Sequence, residues 1–284
     1  MGSHYVPQQY LRAFEVPDDP GTIWTYDKKQ GTCKRLPIKN IAQAPGFYPP
    51  DVEAELNSKL EGPANSILAQ LTNLRPISQA QQVHFAFYIA GMIKRVPRRR
   101  RISREEILPK ALKNTMDAIV AEVQEFAATT SNREMAERRV AEVQRLREKF
   151  SDEPPAGVIE QIESPWPTRK MAEAVLAMTW RIVFTKGRQY FITSDNPAFF
   201  FEGLGVGTPD SEIAFPLSPS VALMGSRQGT AGEMIFIEIK QKIVREVNRR
   251  MAAGAERLIF AREQQPWLPA AMAKPHAYLS KIAW

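Results

Sequence analysis

The sequence predicts an α+β fold, mainly helical, with a small antiparallel sheet and a projecting helical hairpin. Three observations carry this. Apolar residues recur three and four apart through most of residues 50–150, the spacing of one helix face. Runs rich in aromatic and β-branched residues, bounded by Gly, Pro, Asn and Asp, are short: 22–36, 189–201 and 213–224 are the clearest. Two long apolar stripes on either side of a turn at Thr129–Asn132 read as antiparallel helices.

At 284 residues, 44% hydrophobic and 24% charged, the chain has material for a sizeable core. It reads as one α+β domain, 1–284, with 104–150 as a helical-hairpin insertion or lobe. No apolar run approaches the ~20 residues of a membrane span. The first residues lack the apolar core of a signal peptide. The expectation is a cytoplasmic protein with no membrane partner. The lone Cys33 excludes an internal disulfide and a multi-cysteine metal knot, and reads as a half-buried thiol in a hairpin.

The formal charge is +7, and Lys94, Arg95, Arg98, Arg99, Arg100, Arg101 and Arg104 supply as much in eleven residues. Without them 38 − 7 = 31 cations face 31 acids, so the basicity is a local patch.

Taken in order, Pro7 suits the first turn of a short helix, with Tyr10, Leu11 and Phe14 on its buried face. His4 lies just ahead, and Gln8 and Arg12 lie one and two turns on. Thr22–Leu36 reads as a β-hairpin turning at Asp27–Gly31. Asp51 is placed to cap a helix carrying Val52, Leu56, Leu60, Ile67, Leu68 and Leu71, which Gly62-Pro63 should break near Glu61. Ser78 opens a helix whose segment Val83–Ile93 is apolar almost all round and therefore central; His84 within it reads as a core histidine. Ser103 and Glu106 have capping-box spacing, though Pro109 places the regular helix later. Ser151–Pro167, with four prolines, reads as a linker. Thr168–Phe184 reads as a helix through Met171, Val175, Met178 and Ile182.

The central stretch follows. Gln189–Thr193 reads as a strand that stops in Ser194-Asp195-Asn196-Pro197 and resumes in Ala198–Phe201. Pro197 cannot donate to a ladder, so small polar side chains are presented at a fixed bend. Beyond it come a glycine-rich loop, Gly203–Gly207, without the Gly-Lys-Ser/Thr of a P-loop, and a short strand Ile213–Phe215. The Pro216–Pro219 turn leads into Val221–Met224. A helix carrying Ile239, Ile243, Val247, Asn248 and Met251 precedes a last strand, Arg257–Ala261. His276 reads as exposed.

The opening His4-Tyr5-Val6-Pro7-Gln8 with Tyr10-Leu11-Arg12 and Phe14 resembles a bacterial family of unknown function. So do Arg95-Val96-Pro97, Phe191–Pro197, Pro216–Pro219 and Asn248, in matching order over nearly the whole chain. The resemblance implies a mainly helical protein with a small sheet, and the convergence of His4, Gln8, Arg95, Asp195 and Asn248; it carries over no activity. Gly62-Pro63 departs from the family's smoother helix at that point.

Zinc-helix, nucleophile-elbow and dinucleotide signatures are missing. The residue types at the bend point instead to hydrolysis. His4 exchanges a proton near neutral pH, Asp195 orients it or holds a divalent cation such as Mg²⁺, and Asn196 and Glu61 complete a catalytic set. Gln8, Arg12, Arg95, Arg98, Ser194, Ser218 and Asn248 are candidate binding residues, for a phosphate or a developing negative charge. Joined to the basic run, this reads as a nuclease-like phosphodiester hydrolase acting on DNA or RNA. A non-catalytic nucleic-acid- or partner-binding protein and an enzyme on a small nucleotide or phosphorylated substrate are the alternatives. Each part also has a plain reading: Ser-Asp-Asn-Pro makes a good turn, His4 and Asp195 make a structural pair, and the arginines make a solvated helix end.

Overall fold

The N-terminal part of the chain runs β1 (Gly2–His4), α1 (Gln8–Arg12), β2 (Thr22–Asp27), β3 (Thr32–Pro37), β4 (Gln43–Pro45), α2 (Pro50–Glu55), α3 (Gly62–Thr72) and α4 (Gln79–Lys94). Then come α5 (Pro97–Ile102), α6 (Leu108–Thr129), α7 (Arg133–Asp152) and α8 (Ala156–Glu163). The last part runs α9 (Arg169–Leu176), β5 (Thr179–Phe184), β6 (Thr193–Ser194), β7 (Phe199–Phe200), β8 (Glu212–Pro216), β9 (Val221–Ser226), β10 (Met234–Glu238), α10 (Gln241–Gly254), β11 (Leu258–Ala261) and α11 (Leu268–Met272). This computed structural model describes residues 2–129, 133–152, 154–200 and 209–272. The glycine-rich loop 203–207, Phe201, Asn132 and His276 lie outside the described residues. The chain divides into two compact units, 1–98 with 165–284, and 99–164.

The first unit overturns the expected small antiparallel sheet. It holds a two-stranded sheet β1-β4, a four-stranded sheet β3-β2-β11-β6 and a five-stranded sheet β10-β5-β9-β8-β7. The last is mixed, because β10 runs parallel to β5 while β5, β9, β8 and β7 pair antiparallel. The fold is α+β with much more sheet than the sequence predicts. The discrepancy sits in β5 and β10. Met171, Val175, Met178 and Ile182 fit a helical period, so Thr168–Phe184 reads as one helix. In fact α9 ends at Leu176, and Thr179–Phe184 is a strand buried on both faces, where no alternation shows.

A second correction concerns the central stretch, where Gln189–Ile192 is not a strand. Its backbone is held by side chains of α10 and by a turn. Asn248 Nδ2 donates to the Tyr190 carbonyl at 2.7 Å, and the Ile192 amide donates to Asn248 Oδ1 at 3.0 Å. The Gln189 amide donates to Gln241 Oε1, and the Phe191 amide to the Pro219 carbonyl. Side-chain clips do here what a neighbouring strand would do in a sheet.

Gly62-Pro63 does not break its helix. Leu56–Glu61 forms a π-helical segment that runs directly into α3. Ser103–Ile107 does the same before Leu108-Pro109, so Ser103 is not a cap. A proline ring crowds the carbonyl four residues back, and a turn widened by one residue relieves the crowding. A Cβ on Gly62 would lie 3.2 Å from the Asn57 carbonyl oxygen, so glycine suits this approach.

The main core packs Tyr10, Phe85, Tyr88, Trp180 and Phe215 together. Tyr10 stacks on Phe215 at 5.3 Å between ring centroids, and Phe85 meets Trp180 edge-on at 6.0 Å. Helix α4 is the buried axle expected, opened by a Ser78/Gln81 capping box.

In the second unit α6 and α7 form an antiparallel hairpin, with Asp117 and Arg147 paired at 2.9 Å. Its apolar seam is thin. Leu108, Met116, Ala136 and Val143 are buried, while Phe126 is 42% exposed. Glu163 gathers cations at the base of the unit, accepting from Arg100 Nε at 2.7 Å and Arg104 Nη2 at 3.0 Å. Burial pushes its carboxyl up, but these two guanidinium groups win and hold it below the ordinary range. Glu163→Gln should lower stability by about 1–2 kcal/mol. Urea unfolding, with faster proteolytic nicking inside 99–164, checks this; an unchanged midpoint would count against a structural role for the trio.

Candidate functional site

The two halves of the expected site are held by different partners: His4, the last residue of β1, and Tyr5, just beyond it, make separate contacts. The His4 backbone amide donates to Glu53 Oε1 at 3.0 Å, and its Nδ1 lies 3.9 Å from the same oxygen, an ion-pair distance. Its ring is 15% exposed. The His4 carbonyl accepts from Arg95 Nη2 at 2.6 Å.

Arg95 caps the C-terminal end of α4 and is only 2% exposed. Its Nη1 pairs with Glu61, at the end of the π-helical segment, and its carbonyl accepts the Tyr48 hydroxyl at 2.5 Å. Tyr88 stands two helical turns before Arg95, on the same face of α4. Burial, then the charge of Glu61, raises the Tyr88 phenol far above its ordinary pKa, with Arg95 opposing. The widened turn thus delivers Glu61 to the two buried groups on α4.

Three buried polar atoms of this cluster have no hydrogen-bond partner among the described residues: His4 Nε2, Arg95 Nε and Tyr88 Oη. Buried polar atoms are almost always satisfied, so three unpartnered ones make this cluster a candidate for contact with water or a ligand. One is an imidazole nitrogen and two are donors. The cluster can exchange a proton and hydrogen-bond an oxyanion.

Tyr5 packs on Phe47 at 5.4 Å. Burial and then the Asp195 charge raise its phenol, with Arg257 opposing. Tyr5, not His4, is therefore the N-terminal residue that senses Asp195. His4 and Asp195 share no hydrogen bond or ion pair among the described residues.

Asp195 is 1% exposed and built into the backbone. Its Oδ1 accepts from the Glu256 amide at 2.8 Å, and its Oδ2 from the Arg257 and Leu258 amides at 2.7 and 2.8 Å. Burial pushes its pKa up to about 6 against the pull of these donors. Asn196 donates to the Gly254 carbonyl, and Ser194 Oγ donates to Met251 Sδ and accepts the Asn196 amide. Ser218 Oγ accepts the Ser220 and Val221 amides in its turn, and Asn248 is the clip described above. The bend is thus a buried joint between β6 and β11. Among the described residues no group of three or more His, Cys, Asp or Glu side chains could hold a metal ion, Asp195 included.

Of the sequence-predicted residues, the structure brings together His4, Glu61 and Arg95, and separately Ser194, Asp195, Asn196 and Asn248. Gln8 is half-buried and Arg12 exposed on α1. Arg98 lies 3.9 Å from Glu256. Sequence reasoning missed Glu53 and Tyr88. Nothing marks Glu53, but a lone phenol seven residues before Arg95, inside an apolar run, was a usable signal for Tyr88.

The basic run is not a bare patch. Glu61 answers Arg95, Glu163 answers Arg100 and Arg104, and Glu105 answers Arg101. Arg99 meets no acid among the described residues, and burial lowers its pKa.

A family model described as "Protein of unknown function (DUF4238)" matches residues 3–265. The chain belongs to this family. The match spans both units and takes in the whole His4–Glu53–Glu61–Tyr88–Arg95 cluster of this DUF4238 protein. No curated protein and no solved structure matches the chain. No helix among the described residues is long and apolar enough to cross a membrane.

Proposed function

We propose that this DUF4238 protein is a hydrolase acting on a small phosphorylated substrate, with His4 as its proton-transfer residue. The observation that carries the reading is the open His4 Nε2, backed by Glu53 and set beside the unpartnered donors of Arg95 and Tyr88. Imidazole Nε2 takes a proton from water as the water oxygen bonds to phosphorus; the ester P–O bond breaks, and the proton passes to the departing oxygen. Arg95 Nε–H and Tyr88 O–H hold the phosphoryl oxygens. Glu61 and the His4 carbonyl hold Arg95 in place, and Glu53 steadies the imidazolium.

A small substrate is favoured over a nucleic-acid chain because acids, most of them distant in sequence, already match most of the arginine run. The reading takes the protein as cytoplasmic, with Cys33 left as a free thiol.

The test is turnover of phosphomonoesters, phosphodiesters, mononucleotides and labelled oligonucleotides by the purified full chain, with and without Mg²⁺. Release of phosphate or alcohol from the small esters is expected. Preferential cleavage of the oligonucleotides would restore the nuclease reading, and no turnover of any member would remove hydrolysis.

A further inference from the structure

We infer that the groove between α1 and α3 binds the organic body of the substrate, and that this body is a nucleoside. The inference rests on the hydrolase reading for the phosphate and on separate observations for the groove. Gln9 and Arg12 on α1, Asn65, Leu68 and Thr72 on α3, and Leu217 line a cleft of about 280 Å³. Small-molecule pockets begin at about 300 Å³, so this one suits a ligand the size of a nucleoside.

The α3 lining positions lie three and four apart, on one helix face. Glu61 is the next position up that face, one turn or about 5–6 Å before Asn65. The nearest lining position of the groove on α3 is therefore one turn from Glu61, the partner of Arg95. A substrate with its phosphate at Arg95 would lay its remaining bulk along this face.

The lining sets the chemistry. Leu68 and Leu217 are buried and apolar, a floor for a flat ring. The Gln9 and Asn65 side-chain amides make no hydrogen bond among the described residues, so each offers a donor and an acceptor to a base edge. Arg12, at the rim, is paired with no acid among the described residues and favours an anionic ligand. Apolar walls with a few placed amides and a cation fit a nucleotide better than a simple sugar phosphate, which has no flat apolar face.

Calorimetric titration of the full chain with adenosine 5′-monophosphate, ribose 5-phosphate and inorganic phosphate tests this. The mononucleotide should bind about tenfold more tightly than ribose 5-phosphate, a difference of about 1.4 kcal/mol. Ala69→Trp, which fills the groove from the exposed side of α3, should erase that preference; Arg12→Ala should weaken mononucleotide binding severalfold; His4→Ala should leave the preference intact. Equal affinity for the two sugar phosphates, no mononucleotide binding, or a preference that survives Ala69→Trp would overturn the inference. Groove-dependent binding without turnover would sink the hydrolase reading alone. Turnover without groove dependence would sink the groove alone.

Discussion

Asp195→Ala is expected to destabilise the protein by about 3 kcal/mol or more, because it leaves the part-buried amides of Glu256, Arg257 and Leu258 without their acceptor at about 1 kcal/mol or more each. The Asp195 amide remains tied to the Leu258 carbonyl at 2.9 Å, so the backbone at the joint stays in place. Urea unfolding followed by circular dichroism measures the loss. Asn196→Ala, which removes one bond to the Gly254 carbonyl, should cost only about 1 kcal/mol and serves as the local control. If Asp195→Ala unfolds within about 1 kcal/mol of the parent, the carboxylate is not the joint described.

The pH dependence of this joint has a definite sign. The folded pKa of Asp195, about 6, stands above its ordinary value of 3.8. Folding therefore takes up a proton between those values. The contribution is fully present below the ordinary value and lost as pH rises through about 6. Relative to Asp195→Asn, which has no such titration, the parent should lose stability between pH 4 and pH 7. A parallel pair of stability curves would contradict this.

The second large effect falls on His4. His4→Ala should lower kcat for the small phosphate esters by about 10²–10⁴, the range of a lost general base. Its ring is partly exposed and its backbone contacts to Glu53 and Arg95 survive truncation, so the melting temperature should move little. Glu53→Gln should keep the backbone bond through its carbonyl oxygen while removing the charge behind the imidazole. The expected signature is a fall in kcat, since the imidazolium that forms as the proton is taken loses its anion. Full activity in His4→Ala would end the proposal for this cluster, whatever the fate of the groove.

How much of this was legible beforehand depended on whether the signal was local. The α1 stripe, the β2/β3 hairpin, the capped α4 and the α6/α7 pair all announce themselves by periodicity or turn chemistry. Strand β5 did not, because both faces are buried and Trp180, Ile182 and Val183 sit as well in a helical period as in a strand. Gln189–Ile192 looked like a strand because its residues suit one, yet its partners are Asn248 and Gln241, more than fifty positions away. The arginine run looked bare for a related reason: Glu61, Glu163 and Glu256 come to it only in three dimensions. In the candidate site, His4, Glu61 and Arg95 were named from sequence, but in place of the expected His4–Asp195 bond His4 meets Glu53 and Asp195 meets the amides of Glu256, Arg257 and Leu258, none of them marked by local sequence.

Strand β2 pairs with β11, Tyr26 opposite Ile259, across most of the polypeptide, and the 99–164 hairpin lies between them in sequence. During synthesis the hairpin leaves the ribosome long before β11 exists, and its two helices follow one another directly in the chain, so it is free to form early. The nascent N-terminal segment, with β2 an unclosed edge, must wait some hundred residues longer for its mate. That interval, not the finished protein, is when this polypeptide is most open to sticking to others of its kind.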